Sequence, residues 1–181
     1  AFPEYGKSAL VVTARKMAPM DKEALSKGVG VIFVPDLRWK RRDIKSISLL
    51  PNVLGKQQAR EQGAFEAWQV DEDGYVTEGT SSNAWIVTKD GELTTRNTSQ
   101  SILNGITRLA VIEAATEAGL TFSERPFMPE EALAAREAFI TSSTSHVKAV
   151  TEINGKLVGN GHVGELTSRL LDLYVAYIEE I

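Results

Sequence analysis

Tight-turn signals constrain the fold of this chain more than any other feature. Asp71-Glu72-Asp73-Gly74 lies between Phe65–Val70 and Tyr75–Thr77, and Lys89-Asp90-Gly91 lies between Ala84–Thr88 and Glu92–Thr95. Asn154-Gly155 separates Val147–Ile153 from Lys156–Val158. The flanking runs favour strands, and Asn-Gly supplies the two positive φ angles of a two-residue hairpin. Each signal therefore joins two antiparallel strands. Apolar, β-branched runs predict further strands over Ser8–Ala14, Gly30–Pro35 and Ala138–Ser142. A polar connector, Met17–Gly28, separates the first two.

Helical signals fall between the hairpins. Pro51 suits the first turn of a helix that finishes near Gly63, and Ile106–Ala118 stops at Gly119. The second of these is apolar almost all round, which predicts enclosure by other elements. A closing helix carries Leu166, Leu170, Leu173, Tyr174, Tyr177 and Ile181 at helical spacing. Strand pairs alternating with helices predict an α/β (α+β) fold with a mixed, largely antiparallel sheet, not a doubly wound parallel one.

Composition removes several function classes. The chain has no cysteine, so neither a disulfide framework nor a thiolate nucleophile is available. Two histidines, His146 and His162, are too few and too far apart for a metal cluster. A net charge of −4 argues against nucleic acid as the main partner. No apolar run reaches membrane-spanning length, and no secretory signal pattern opens the chain. Together with the missing cysteines, this predicts a cytoplasmic location.

Four segments carry candidate chemistry, each with an ordinary alternative. Lys45, in Asp43-Ile44-Lys45-Ser46, could be a surface lysine paired with Asp43 or an amine that holds an aldehyde as a Schiff base. Glu78, in Val76-Thr77-Glu78-Gly79, could be a solvated turn carboxylate or the partner of a protonated ring nitrogen. Asn104-Gly105-Ile106-Thr107-Arg108 could be a plain helix start or an anion site built from free N–H groups. Thr141-Ser142-Ser143-Thr144-Ser145 could be a polar turn or a second donor set for the same anion. An aldehyde, a ring nitrogen and a phosphate are the three handles of pyridoxal phosphate.

The order and wording of the motifs narrow the choice. Arg38-Trp39-Lys40-Arg41-Arg42-Asp43-Ile44-Lys45-Ser46, with Ser48-Leu49-Leu50-Pro51-Asn52-Val53-Leu54 after it, resembles the lysine segment of fold-type IV pyridoxal-phosphate enzymes, most closely D-amino-acid aminotransferases. Val76-Thr77-Glu78-Gly79 with Ser81-Ser82-Asn83, Ile102–Arg108, Thr141–Ser145, Ile153–Val158 and His162–Leu170 recur in that family in the same order. The resemblance covers nearly the whole chain. It implies the C-terminal domain of that fold, a largely antiparallel sheet or barrel with flanking helices. It also implies transamination of an amino acid, in particular a D-amino acid, onto a 2-oxo acid such as 2-oxoglutarate.

Site roles follow from the resemblance position by position. Lys45 is expected to hold the cofactor and shuttle the substrate proton, and Glu78 to keep the ring nitrogen protonated. Backbone N–H groups of Ile106 and Thr107 and the hydroxyls of Thr107 and Ser143, assisted by Ser142, are expected to bind phosphate. Arg38 is expected near the ring's phenolic oxygen, Glu66 to orient that region, and Leu103 to pack on the ring face.

The family also carries a smaller N-terminal domain that completes the substrate pocket. Residues 1–20 are read as the end of that domain and its linker, and residues 21–181 as the cofactor-binding domain. A missing N-terminal segment or companion chain and a homodimer are the expected partners. Within the fold, branched-chain aminotransferases, (R)-amine transaminases and aminodeoxychorismate lyases are the alternatives. Lyases usually depart from Gly105-Ile106-Thr107-Arg108 and from the Ser/Thr-rich strand end, so a transaminase is favoured. A non-catalytic scaffold is the reading from a different class, and the presence of both Lys45 and Glu78 counts against it.

Overall fold

The computed structural model describes residues 5–7, 9–16 and 21–179. After a short helix α1 (Lys22–Leu25), strand β1 (Val29–Pro35) leads through a long loop into helix α2 (Leu50–Glu61) and strand β2 (Glu66–Val70). Strands β3 (Val76–Gly79), β4 (Asn83–Val87) and β5 (Leu93–Thr95) follow, then helix α3 (Ile106–Glu117), β6 (Phe122–Glu124) and helix α4 (Pro129–Ala134). Strands β7 (Glu137–Ser142), β8 (His146–Ile153) and β9 (Lys156–Leu157) precede the closing helix α5 (Glu165–Glu179).

All nine strands of the described residues share one mixed sheet, ordered β3-β2-β1-β8-β7-β4-β5-β6, with β9 added beside β8. Five pairings are antiparallel, and the three predicted hairpins are among them. Asn154 and Gly155 have φ of 50° and 74°, as the hairpin turn requires. Three pairings are parallel: β1 with β2, β1 with β8, and β5 with β6. A parallel pair needs a crossover, and the segment from Asp36 through α2 provides it for β1 and β2. That crossover carries both Arg38 and Lys45.

The sheet curls into a half-barrel. Gly79 N–H donates to Ser82 C=O at 2.7 Å, so β3 at the sheet's end turns directly into β4 in its middle. Alternation along the strands divides two cores. Val31, Trp68, Val76, Ile86, Ile140 and Val150 fill one face with Phe127 and Ala132. Trp85, Val87 and Phe139 face the other way, onto α3 and α5 through Val111, Ala115, Leu170 and Tyr174. Trp85 and Phe139 are cross-strand partners whose rings stack at 5.3 Å. Trp68 is fully buried, and truncating such a side chain to alanine costs about 3–5 kcal/mol.

Some expectations change. Residues 9–14 of the predicted first strand belong to no strand, and Leu10, Val11 and Val12 are at least 81% exposed; Ser8 lies outside the described residues. Among the described residues no strand pairs with them, and composition alone does not make a strand. Helix α3 buries Thr107, Arg108, Ala110, Val111, Ala114 and Ala115 but leaves Ile106 and Leu109 exposed, so it is enclosed on one side only. Strand β6 and helix α4 are additional to the predicted elements. Of the closing helix, Leu170 and Tyr174 are buried as spaced, while Ile181 lies outside the described residues.

Candidate functional site

The C-terminal end of β1 and the start of β3 meet at one edge of the half-barrel. Pro35 pairs with Val70, and Asp36 N–H donates to Val70 C=O at 2.8 Å. Asp36, buried at this corner, receives Nε and Nη2 of Arg38 at 2.9 and 2.7 Å and the hydroxyl of Thr77 at 2.8 Å. Arg42 approaches the same carboxylate with its Nε at 3.2 Å. Burial alone would raise the Asp36 carboxyl. The hydrogen bonds and charge of Arg38, the Thr77 hydroxyl and the Arg42 charge outweigh it and hold the group below its ordinary value.

Arg38 turns its remaining nitrogen to Glu78, with Nη1 at 2.5 Å from Oε1. Glu78 is buried on β3 and has two other partners. Asn83 Nδ2 donates to Oε2 at 2.9 Å, and the Leu103 N–H is shared between the two oxygens at 3.1 and 3.2 Å. Burial pushes Glu78 up to about 7, against the charge and hydrogen bond of Arg38 and the Leu103 N–H. The shared Leu103 N–H is a three-centre bond, weaker at each oxygen than a direct one. A carboxyl titrating near neutrality can share a proton with a ring nitrogen brought beside it.

Asn83 links this carboxylate to the start of α3. Its Nδ2 also donates to Leu103 C=O at 2.9 Å, and its Oδ1 lies only 2.3 Å from where a Cβ on Gly105 would stand. Gly105 is the residue before the helix, and no side chain caps that end. The first N–H groups of α3 therefore keep their partial positive charge for an anion. The Thr107 hydroxyl, in the first turn, is buried without a hydrogen-bond partner. An orphaned buried donor beside an uncapped helix start suits a phosphate, so the residues present fit pyridoxal phosphate at both ends.

The other expected residues are placed as follows. Thr141 on β7 pairs with Asn83 on β4, which brings the β7–β8 turn to the same region. Within that turn Ser142 Oγ accepts from Ser145 N–H at 3.0 Å, and Ser143 is exposed. Lys45 is exposed in the loop before α2, and Asp43 is held by the guanidinium fork of Arg41, not by Lys45. Leu103 reaches the site through its backbone, while its side chain is half-buried. Glu66 is fully buried, but its bonds go to the turn after Glu78: Thr80, Ser81 and Ser82 donate to it, as does Ala67 N–H. Glu66 therefore binds that turn and makes no bond to Arg38, whose carboxylate partners are Asp36 and Glu78.

Sequence reasoning assigns no role to Asp36 or Asn83. Asp36 follows an apolar run ending in proline, a position that also suits an ordinary turn. Asn83 stands inside a motif quoted for Glu78, and its double use becomes visible only once β4 and the start of α3 are adjacent. Two cavities, of about 640 and 300 Å³, are lined by none of these residues. Among the described residues there is no group of three potential metal ligands and no helix long and apolar enough to cross a membrane.

Residues 3–153 match the family described as amino-transferase class IV. The chain is 47% identical over 143 residues to the D-alanine aminotransferase of Bacillus licheniformis, covering 79% of this chain and 50% of that protein. It is 36% identical over 179 residues to the D-alanine aminotransferase of Staphylococcus aureus (strain COL), covering 99% of this chain and 63% of that protein. Among solved structures, the branched-chain amino acid aminotransferase from Thermobaculum terrenum in PLP-form (holo-form) matches with a TM-score of 0.79 at 26% identity, over 88% of this chain and 53% of that one. The chain thus spans 50–63% of the length of these two D-alanine aminotransferases.

Proposed function

The chain belongs to the class IV aminotransferase family, and from that premise we propose that it is the cofactor-binding part of an enzyme transferring the amino group of a D-amino acid to a 2-oxo acid such as 2-oxoglutarate. The observation that carries this reading is the arrangement around Glu78: a buried carboxyl poised near neutrality, tied through Asn83 to an uncapped helix start. Pyridoxal phosphate, when bound, supplies an aldehyde that condenses with amines and a ring that withdraws electrons from the bond breaking at the substrate Cα.

The chain's own residues would do the rest. Lys45 would hold the cofactor through its amine and, once displaced by the substrate, take the proton from Cα. Glu78 would hold a proton at the ring nitrogen, and its burial strengthens that interaction by excluding water. Arg38 would donate near the phenolic oxygen. The N–H groups of Ile106 and Thr107 and the Thr107 hydroxyl would bind the phosphate, with Ser142 and Ser143 adding donors from the β7–β8 turn. Leu103 would flank the ring. We assign these roles to residues 21–181 and attribute much of the substrate choice to the length of the relatives that this chain does not span. A homodimer in the cytoplasm is the proposed working form.

The test is a coupled assay on the full-length protein with pyridoxal phosphate and 2-oxoglutarate, using D-alanine in one arm and L-leucine in the other. Turnover of D-alanine, lost on Glu78→Gln, supports the reading. Turnover confined to L-leucine would favour the branched-chain alternative, which the similarity to a branched-chain aminotransferase structure keeps as the second reading. No turnover in either arm despite bound cofactor would favour a non-catalytic role.

A further inference from the structure

The charged groups at the corner of β1 and β3 form a chain: Arg42, Asp36, Arg38, Glu78. Only its last two members carry a role in the function proposed above, on which the following inference rests. Asp36 is completely engaged. One oxygen, Oδ1, accepts from both the backbone N–H and Nε of Arg38, at 3.1 and 2.9 Å. The other, Oδ2, accepts from Arg38 Nη2, lies 2.8 Å from the Thr77 hydroxyl, and faces Arg42 Nε at 3.2 Å. Thr77 also lies 3.2 Å from Arg38 Nη2 and 3.0 Å from Gln69 C=O, which closes the network against β2.

The geometry has a directional consequence. A guanidinium is planar and presents its donors in a fixed fork, so fixing Nε and Nη2 fixes the direction of Nη1. An unrestrained arginine side chain would sample many rotamers, and a lone contact with Glu78 would not select one. We propose that Asp36 is a positioning residue: its fork contact with Arg38 leaves Nη1 as the donor presented to the ring site beside Glu78, and Arg42 and Thr77 hold Asp36 in place for that task. Asp36 itself does not touch the ring site. It acts through Arg38, and two cations on one carboxylate let Arg38 be held without leaving Asp36 with unmatched acceptors.

The reading is specific because a structural ion pair and a positioning one affect different quantities. If Asp36 only stabilised the corner, its loss would lower melting temperature and cofactor affinity and leave the ionisation of the bound cofactor alone. If it aims Arg38, its loss takes a cationic donor away from the ring oxygen. An acidic group that loses a neighbouring cation binds its proton more tightly.

The experiment uses the full-length protein loaded with pyridoxal phosphate and follows the visible absorbance of the bound cofactor against pH. Asp36→Asn is expected to move the titration midpoint upward by about one pH unit, in the same direction as Arg38→Met. In an Arg38→Met background the Asp36→Asn change is expected to move it no further. Should the amide variant not fold, Asp36→Glu keeps the charge but displaces the fork by one methylene, and a smaller upward shift is expected from it. An Asp36 variant that folds, binds cofactor and keeps the parent's midpoint would overturn the inference, as would shifts that add in the double variant. A parent protein with no cofactor band at all would instead sink the proposed function.

Discussion

The titration of Glu78 offers a test in the cofactor-free protein. Glu78 goes from an ordinary 4.5 to about 7 on folding, because burial disfavours its charged form more than Arg38 and the Leu103 N–H favour it. Below pH 4.5 both folded and unfolded chains hold the proton, and the folded state is at its full advantage. Between 4.5 and about 7 the unfolded chain has released a proton that the folded state keeps, so stability falls as pH rises. The interval corresponds to about 3 kcal/mol. Glu78→Gln cannot titrate, so its stability should lack this slope. Its amide nitrogen would face donors from Arg38 or Asn83, so the variant should start about 1–3 kcal/mol less stable at pH 5. The gap should close as the pH approaches 8. His146, whose burial lowers its pKa, acts in the opposite sense: its contribution is present above 6.5 and is lost as pH falls through its folded value. It is common to both proteins and cancels in their difference. Asp36, held below 3.8, is lost only beneath this window. The assay is urea unfolding of both proteins at intervals from pH 5 to 8, with stability extrapolated to water. Parallel curves would refute the account of Glu78.

Thr107→Val should weaken pyridoxal phosphate binding about 10- to 100-fold, the worth of one hydrogen bond to a charged group, while leaving cofactor-free stability unchanged or raised; fluorescence titration paired with thermal melts reads both. Gly105→Ala places a Cβ 2.3 Å from Asn83 Oδ1 and should cost about 1–3 kcal/mol together with much of the cofactor affinity, because Asn83 must leave Glu78 to make room; urea unfolding and the same titration check it. Glu66→Ala removes the acceptor shared by Thr80, Ser81, Ser82 and Ala67, and should destabilise the protein by at least about 2 kcal/mol, measured by denaturant unfolding.

What the sequence made legible was local. The hairpins could be read because Gly74, Gly91 and Gly155 supply positive φ at fixed places, a requirement satisfied within a few residues. Parallel pairings could not be read in the same way, since β1 meets β2 and β8 only through crossovers set by the whole fold. Strand β6 is three residues long and not buried, so it leaves little periodicity. Helix α4 did carry a signal: Pro129 opens it, and Glu131 reaches back to the Met128 N–H at 3.1 Å.

Among site residues, Glu78 could be suspected from its motif, but its buried position and its partners depended on the sheet curling back on itself. Lys45 shows the converse. Its motif gives it a role, yet in the fold nothing beyond an exposed loop position marks it out. Asp36 was hidden because its importance lies in what it does to Arg38 and Arg42, a relation that spacing alone does not encode.

The most direct test is borohydride reduction of the protein with added pyridoxal phosphate, followed by peptide mass mapping. A single pyridoxyl adduct on Lys45, abolished by Lys45→Ala and weakened by Thr107→Val, is the expected result. A folded protein that takes up no adduct, or takes it up indiscriminately at other surface lysines such as Lys40, would contradict the assignment of this site.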